Sequence, residues 1–123
     1  MGTVSDVLTK IEIITRPSKF EELKQELAKI GVSGITVTDA LGCGLQKGIT
    51  ELYRGVKKQD NMHARIKVEI VVCEVPVSDV VDKARKVLNT GQPGDGKIFI
   101  YELKNAIKIR TGEEGSQALR NNS

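Results

Sequence analysis

The sequence predicts an α+β protein. The expected architecture is a ferredoxin-like double βαβ sandwich, with two helices on one face of an antiparallel sheet. Three observations carry this. Segments 10–15, 34–40 and 66–73 alternate apolar and polar residues with the period of a half-buried strand, and 98–103 reads as a fourth strand after a glycine-rich turn. Segments 18–30 and 76–88 repeat apolar residues at helical spacing. The order is strand–helix–strand, twice, with a long polar segment between the halves, which is the split βαβ pattern.

A chain of 123 residues suits one domain. With 39% hydrophobic residues but only 3% aromatics, the core must be built from Val, Ile and Leu. Lys10-Ile11-Glu12-Ile13-Ile14-Thr15 is the first strand, stopped by Pro17. Ser18 and Glu21 have the spacing of a capping box. Phe20, Leu23, Leu27 and Ile30 then form one helical face, and Gly31 is a natural stop. In the second strand Ile35 and Val37 share one side, Thr36 and Thr38 the other. The segment from about 42 to 65 is polar and glycine-broken, with no core period. A connection that long inside a small domain is often functional.

After the third strand, Pro76 and Ser78 open a helix that turns Val80, Val81, Ala84, Val87 and Leu88 inward. Gly91 ends it. A glycine-rich turn leads into the strand at 98–103, and a short strand is expected at 106–109. Residues 1–115 would form the domain and 116–123 a loose tail. An open sheet face of Val, Ile and Thr would be apolar enough to pack against other subunits.

Several functions are disfavoured. A net charge of +3, spread evenly, does not mark a nucleic-acid surface, and so few aromatics offer no stacking platform. No apolar run would span a bilayer and no basic-then-apolar leader is present, so a cytoplasmic protein with reduced thiols is expected. Cys43 and Cys73 lack metal spacing, and the single His63 completes no ligand set. One histidine also leaves no Ser–His–Asp or Cys–His set, so binding is favoured over catalysis.

The candidate chemistry lies in the turn Gly91-Gln92-Pro93-Gly94-Asp95-Gly96-Lys97. It matches the first part of a P-loop, but Ile98 replaces the Mg²⁺-holding hydroxyl. The turn also leaves a helix and opens a strand, the reverse of a P-loop. Its glycines could aim backbone N–H groups at a phosphate, with Lys97 as a point charge. A turn that only reverses the chain fits the glycines equally well. If 106–109 is a strand, Lys108 and Arg110 share a face and could join Lys97 on a polyphosphate.

Thr50-Glu51-Leu52-Tyr53-Arg54-Gly55, Gly94-Asp95-Gly96-Lys97-Ile98-Phe99 and Ile109-Arg110-Thr111-Gly112-Glu113-Glu114 closely resemble signature stretches of the PII signal-transduction proteins. So does Gln46-Lys47-Gly48. The resemblance runs from about 10 to 114, and Gly42-Cys43-Gly44-Leu45-Gln46-Lys47 is most similar to the GlnK type of Gram-positive bacteria.

The resemblance implies a homotrimer that binds ATP and ADP competitively in clefts between subunits. It implies a T-loop at about 42–65, a B-loop at about 90–97 and a C-loop at about 108–114. Gly94, Asp95, Gly96 and Lys97 would hold phosphates, with Thr90 in the same loop. Lys108 and Arg110 would reach them from the neighbouring subunit. Ile14, Gly34, Ile35, Thr36, Gly42, Gly44 and Val71 would bound the rest of the nucleotide. Gln46 would ligate Mg²⁺ between ATP and 2-oxoglutarate, with Lys47 and Arg65 on the acid. Tyr53 and Arg54 would belong to the docking surface for an ammonium transporter at the membrane. A nitrogen transcription regulator is a second implied target. Direct nucleic-acid binding is not expected. A PII-like sensor of another small ligand and a slow ATP hydrolase are the alternatives.

This chain also departs from the family pattern. Lys58 stands where proteobacterial relatives carry a tyrosine that receives UMP, so uridylylation is not expected. Leu45 replaces an arginine, and Lys108 replaces a forked guanidinium with a point charge. Both imply a weaker hold on ATP.

Overall fold

Alternation decides the sheet. The computed structural model describes residues 7–44 and 62–120. Four strands, β1 (Leu8–Thr15), β2 (Thr36–Cys43), β3 (Met62–Val72) and β4 (Lys97–Leu103), form one antiparallel sheet in the order β2-β3-β1-β4. Helices α1 (Phe20–Lys29) and α2 (Val77–Leu88) cover one face. Because side chains alternate, Ile11 and Ile13 of β1 meet Ile70 and Val68 of β3 on that face. Leu23 and Leu27 of α1, and Val80, Ala84, Val87 and Leu88 of α2, close over them. Phe20 and Ile30 pack at the rim, and Val81 is only half-buried. The sandwich is therefore the expected one, with an aliphatic core.

Local details differ. Ser18 does not cap α1: it lies in a 3-10 turn (Pro17–Lys19), and the N-cap is Lys19, with no side-chain cap bond. Pro17 favours that tight turn and shifts the helix start two residues on. At the other end Gly31, at φ +100°, does end the helix. Strands β2 and β3 run past their expected ends and stay paired out to Cys43 and Met62.

The expected strand at 106–109 is instead a closed loop. Ile107 bridges only Glu114, while Lys108 N–H donates to the Glu113 carbonyl (2.8 Å) and Gly112 N–H to the Lys108 carbonyl (2.7 Å). Gly112, at φ +79°, turns the chain back on itself before any sheet pairing can form. Residues 115–119 form a 3-10 turn that takes in 116–119 of the expected tail, with Ser116, Ala118 and Leu119 half-buried.

The open sheet face is also not the expected Val, Ile and Thr surface. Lys10 sits near its centre, 3.0 Å from Glu69, 3.9 Å from Glu12 and 4.7 Å above the Tyr101 ring. The Glu69 hydrogen bond, then the nearby carboxylate charges, raise the Lys10 pKa against the opposing effect of desolvation. Leu8, Ile14, Val71 and Phe99 share this face by alternation.

Candidate functional site

The glycine-rich turn is held from two sides. Asp95 is its hub: its carboxylate accepts hydrogen bonds from the Thr90 hydroxyl (2.5 Å), the Thr90 N–H (2.8 Å) and the Gly91 N–H (3.1 Å). The fourth donor is Arg16, whose Nη1 lies 2.6 Å from Oδ1. Arg16 also donates through Nη2 to the Pro93 carbonyl (2.7 Å), and the buried Thr15 hydroxyl donates to the Asp95 carbonyl (2.8 Å). The Thr90 hydroxyl, then Arg16, hold the Asp95 carboxyl well below the usual carboxylate range.

Glycine is obligatory at the far end of the turn. Gly96 has φ +107°, and a Cβ there would lie 1.9 Å from the Ile14 carbonyl oxygen. Gly94, at φ +99°, sits between two guanidiniums: a Cβ would lie 2.9 Å from Nη2 of Arg16 and 3.3 Å from Nη2 of Arg65. Arg65 in turn lies over Gly42, whose Cβ would be 3.3 Å from Arg65 Cγ. So two small residues make room for guanidiniums beside the turn, where an anion would be favoured.

An open cleft of about 490 Å³ results, lined by Ile14, Gly42, Arg65, Phe99 and the turn from Gln92 to Lys97. It joins seven of the sequence-predicted residues: Ile14, Gly42, Arg65, Gly94, Asp95, Gly96 and Lys97. Thr90 stands behind them as a support for Asp95. Gly44 is exposed just beyond β2. Gln46, Lys47, Tyr53, Arg54 and Lys58 lie outside the described residues.

The remaining predicted residues lie elsewhere. Thr36 begins β2, six residues from Gly42, or about 20 Å along a strand. It pairs with Glu69, in the row of Glu12 and Phe99 but on the far edge of the sheet from β4, and Val71 pairs with Lys10, nearer the Leu8 end. Gly34 and Ile35 precede Thr36 there. Lys108 and Arg110 belong to the closed loop after β4, and the turn that follows shares a hollow with Val71 to Val75. Lys108 is largely covered and sits 3.5 Å from Glu113.

Arg16 is the important residue that the sequence did not single out. Its partner Asp95 is 79 positions away. The one local hint is a cation directly after an alternating strand, which is common on any surface.

A ferredoxin-like sandwich with a braced glycine-rich turn beside an open cleft defines the α+β class to which the chain belongs. The comparisons with known proteins narrow this. Residues 8–113 match the family "Nitrogen regulatory protein P-II". The nitrogen regulatory PII-like protein of Bacillus subtilis is 60% identical over 116 residues, spanning 94% of this chain and all of that one. The nitrogen regulatory protein P-II of Rhodospirillum rubrum is 45% identical over 112 residues, covering 91% of this chain and all of the relative. The solved complex of B. subtilis GlnK with ATP superposes with a TM-score of 0.82, covering 93% of this chain and 99% of that chain. Arabidopsis thaliana PII bound to citrate, 35% identical, gives 0.75, with 91% and 92% covered. The chain belongs to the PII family of nitrogen regulatory proteins, which signal rather than catalyse. Among the described residues, no helix is long and apolar enough to cross a membrane.

Proposed function

We propose that the chain is a homotrimeric sensor. It binds ATP or ADP competitively between subunits and signals through the segment that joins β2 to β3. The observation that carries this is the pre-formed turn at Gly94, Asp95, Gly96 and Lys97, with Arg65 beside it in the same cleft. Asp95 itself faces inward, so phosphates would meet the turn's backbone and Lys97 rather than a carboxylate. The 60%-identical GlnK–ATP complex supports ATP as the ligand.

The far half of the site, Gly34, Ile35, Thr36, Val71, Lys108 and Arg110, would come from the neighbouring subunit. In one chain Thr36 lies about 20 Å along β2 from Gly42 of the cleft. Mg²⁺ fits as a companion of the phosphates. The Asp95 carboxylate is already occupied, and Mg²⁺ commonly keeps phosphate oxygens and few protein ligands. Gln46 is the residue assigned to it. Arg65 suits a carboxylate of 2-oxoglutarate, with Gln46 and Lys47 beside it. A plant PII that binds citrate supports a polycarboxylate ligand.

The outputs are block of an ammonium transporter through Tyr53 and Arg54, and control of a nitrogen transcription regulator. The protein would be cytoplasmic and reach the membrane when docked. Calorimetry with ATP, ADP and 2-oxoglutarate, each with and without Mg²⁺, tests the reading. ATP and ADP should displace one another, and 2-oxoglutarate should bind only with Mg-ATP. A trimer that binds neither nucleotide ends it.

A further inference from the structure

The one histidine of this chain stands at the stem side of the open cleft. His63 lies on β3 directly opposite Gly42 of β2. Side chains alternate along a strand, so His63 shares the open sheet face with Arg65, two residues on. On that face Ile14, Lys97 and Phe99 line the cleft together with Gly42 and Arg65. Gly42 places no side chain between His63 and the cleft. Arg65 spans the same gap. Its Nη1 donates to the Ala64 carbonyl (2.8 Å), and its Nη2 lies 3.3 Å from where a Cβ of Gly94 would be. The guanidinium thus runs from the stretch of β3 next to His63 across to the glycine-rich turn.

Resting on the 2-oxoglutarate reading above, we infer that His63 is a specificity-determining residue for the acid: its protonated ring adds a second positive charge beside the carboxylate that Arg65 receives. Residues two apart on a strand are about 7 Å apart, so both cations serve one carboxylate end of a small ligand. The phosphates meet the turn on the side of Lys97, so this charge favours the carboxylate over the nucleotide.

The charges around His63 give the arrangement its direction. On β3 they are Arg65 and Lys67, while Thr38, Ala40 and Gly42 of β2 carry none. Arg16 follows β1, and Lys97 begins β4. The carboxylate of Asp95 is taken up by Thr90, Gly91 and Arg16. Glu12 and Glu69 lie further along the face, with Lys10. An imidazole changes charge between about pH 5 and pH 8. With the cleft empty, a proton on the ring joins a positive field. With a dianion in place, that proton is matched by negative charge. Binding therefore takes up protons, and lower pH tightens the hold. At this separation, partly screened by water, one charge changes affinity by about three- to tenfold.

The test titrates full-length protein, saturated with Mg-ATP, with 2-oxoglutarate at about pH 6 and about pH 8. In the parent the Kd should be about three- to tenfold lower at the lower pH. The binding enthalpy should also vary with the ionisation heat of the buffer, which reports proton uptake. His63→Gln should show the weaker affinity at both pH values and no buffer dependence. His63→Lys should hold the tighter affinity at both. Each variant should keep the parent's far-UV circular dichroism, because His63 is exposed. Mg-ATP affinity, measured without the acid, should respond to pH equally in the parent and in His63→Gln. If the parent and His63→Gln bind 2-oxoglutarate alike at both pH values, the inference is overturned and the reading above stands. If the parent binds no 2-oxoglutarate beside Mg-ATP, the inference and the 2-oxoglutarate part of that reading fall together.

Discussion

The two ends of the sheet solve different problems. At the Ile14–Lys97 end, residues almost eighty positions apart lock one turn: Thr15 and Arg16 from β1 and its exit grip Pro93 and Asp95. At the Leu8–Leu103 end, the loop after β4 is tied by local bonds: Asn105 to Glu114, Thr111 to Glu113, Lys108 to Glu113. The first end is organised before any ligand arrives. The second is closed on itself and leaves its isoleucines in water. Preorganised donors hold an anion without a further ordering cost, whereas an exposed loop gains its surroundings only on assembly. The difference leaves each chain one end braced by long-range bonds and one end tied only by local ones.

The largest test of that contrast is Gly96→Ala. The added Cβ meets backbone, which cannot swing aside, at a φ that disfavours any side chain. A cost of roughly 2–4 kcal/mol is expected, seen as a clearly lower melting temperature and lost ATP binding. Unchanged melting would mean that the turn is not rigid. Arg16→Ala comes next: it frees Asp95 and Pro93 from their brace, and ATP affinity should fall about tenfold while the fold persists. Arg16→Lys should recover only part, since an ammonium cannot bridge both partners in a fork. Lys97→Ala should weaken ATP to a similar degree with no change in melting. If calorimetry shows the parent affinity, phosphate is held elsewhere.

A pH series separates the two ends further. The Asp95 pKa is lowered in the fold from an ordinary value of 3.8. Its stabilising contribution is therefore complete above that value and is lost as pH falls below it. Glu113, lowered by Thr111 and Lys108, acts in the same direction. Between pH 5 and 8 neither carboxyl should change the melting temperature. Below about pH 4 the parent should lose stability more steeply than Asp95→Asn, and parallel curves would contradict the hub role. The smallest effect belongs to the far loop: Thr111→Ala removes only local, exposed bonds and should shift melting by less than about 2 °C.

These differences also explain what the sequence made legible. Strands and helices were readable because alternation and helical spacing are local and the core obeys them: Ile11, Ile13, Leu23 and Val80 are all buried where the pattern places them. The glycine turn was readable because its φ demands are local. Arg16 was not, since nothing near it in the chain reports a partner at Asp95. The strand expected at 106–109 failed for a related reason. Ile-Lys-Ile-Arg alternates well, but pairing needs a free neighbour, and Gly112 closes the loop first. The charged centre of the open face was in plain view as Lys10, Glu12 and Glu69. Its meaning depended on register, which brings Lys10 within 3.0 Å of Glu69.

The seat of Arg65 has one more consequence. Its side chain crosses Gly42, and its guanidinium reaches Gly94. Thus one side chain touches the glycine-rich turn and the stem of the paired strands β2 and β3 at the same time. A ligand that pulls on this guanidinium pulls on the stem, with no relay through the core. Thermodynamic linkage then runs both ways: a target that prefers one setting of the stem must tighten or loosen the ligand by the factor the ligand imposes on it. A docked target would be a keeper of the bound nucleotide as well as its reader.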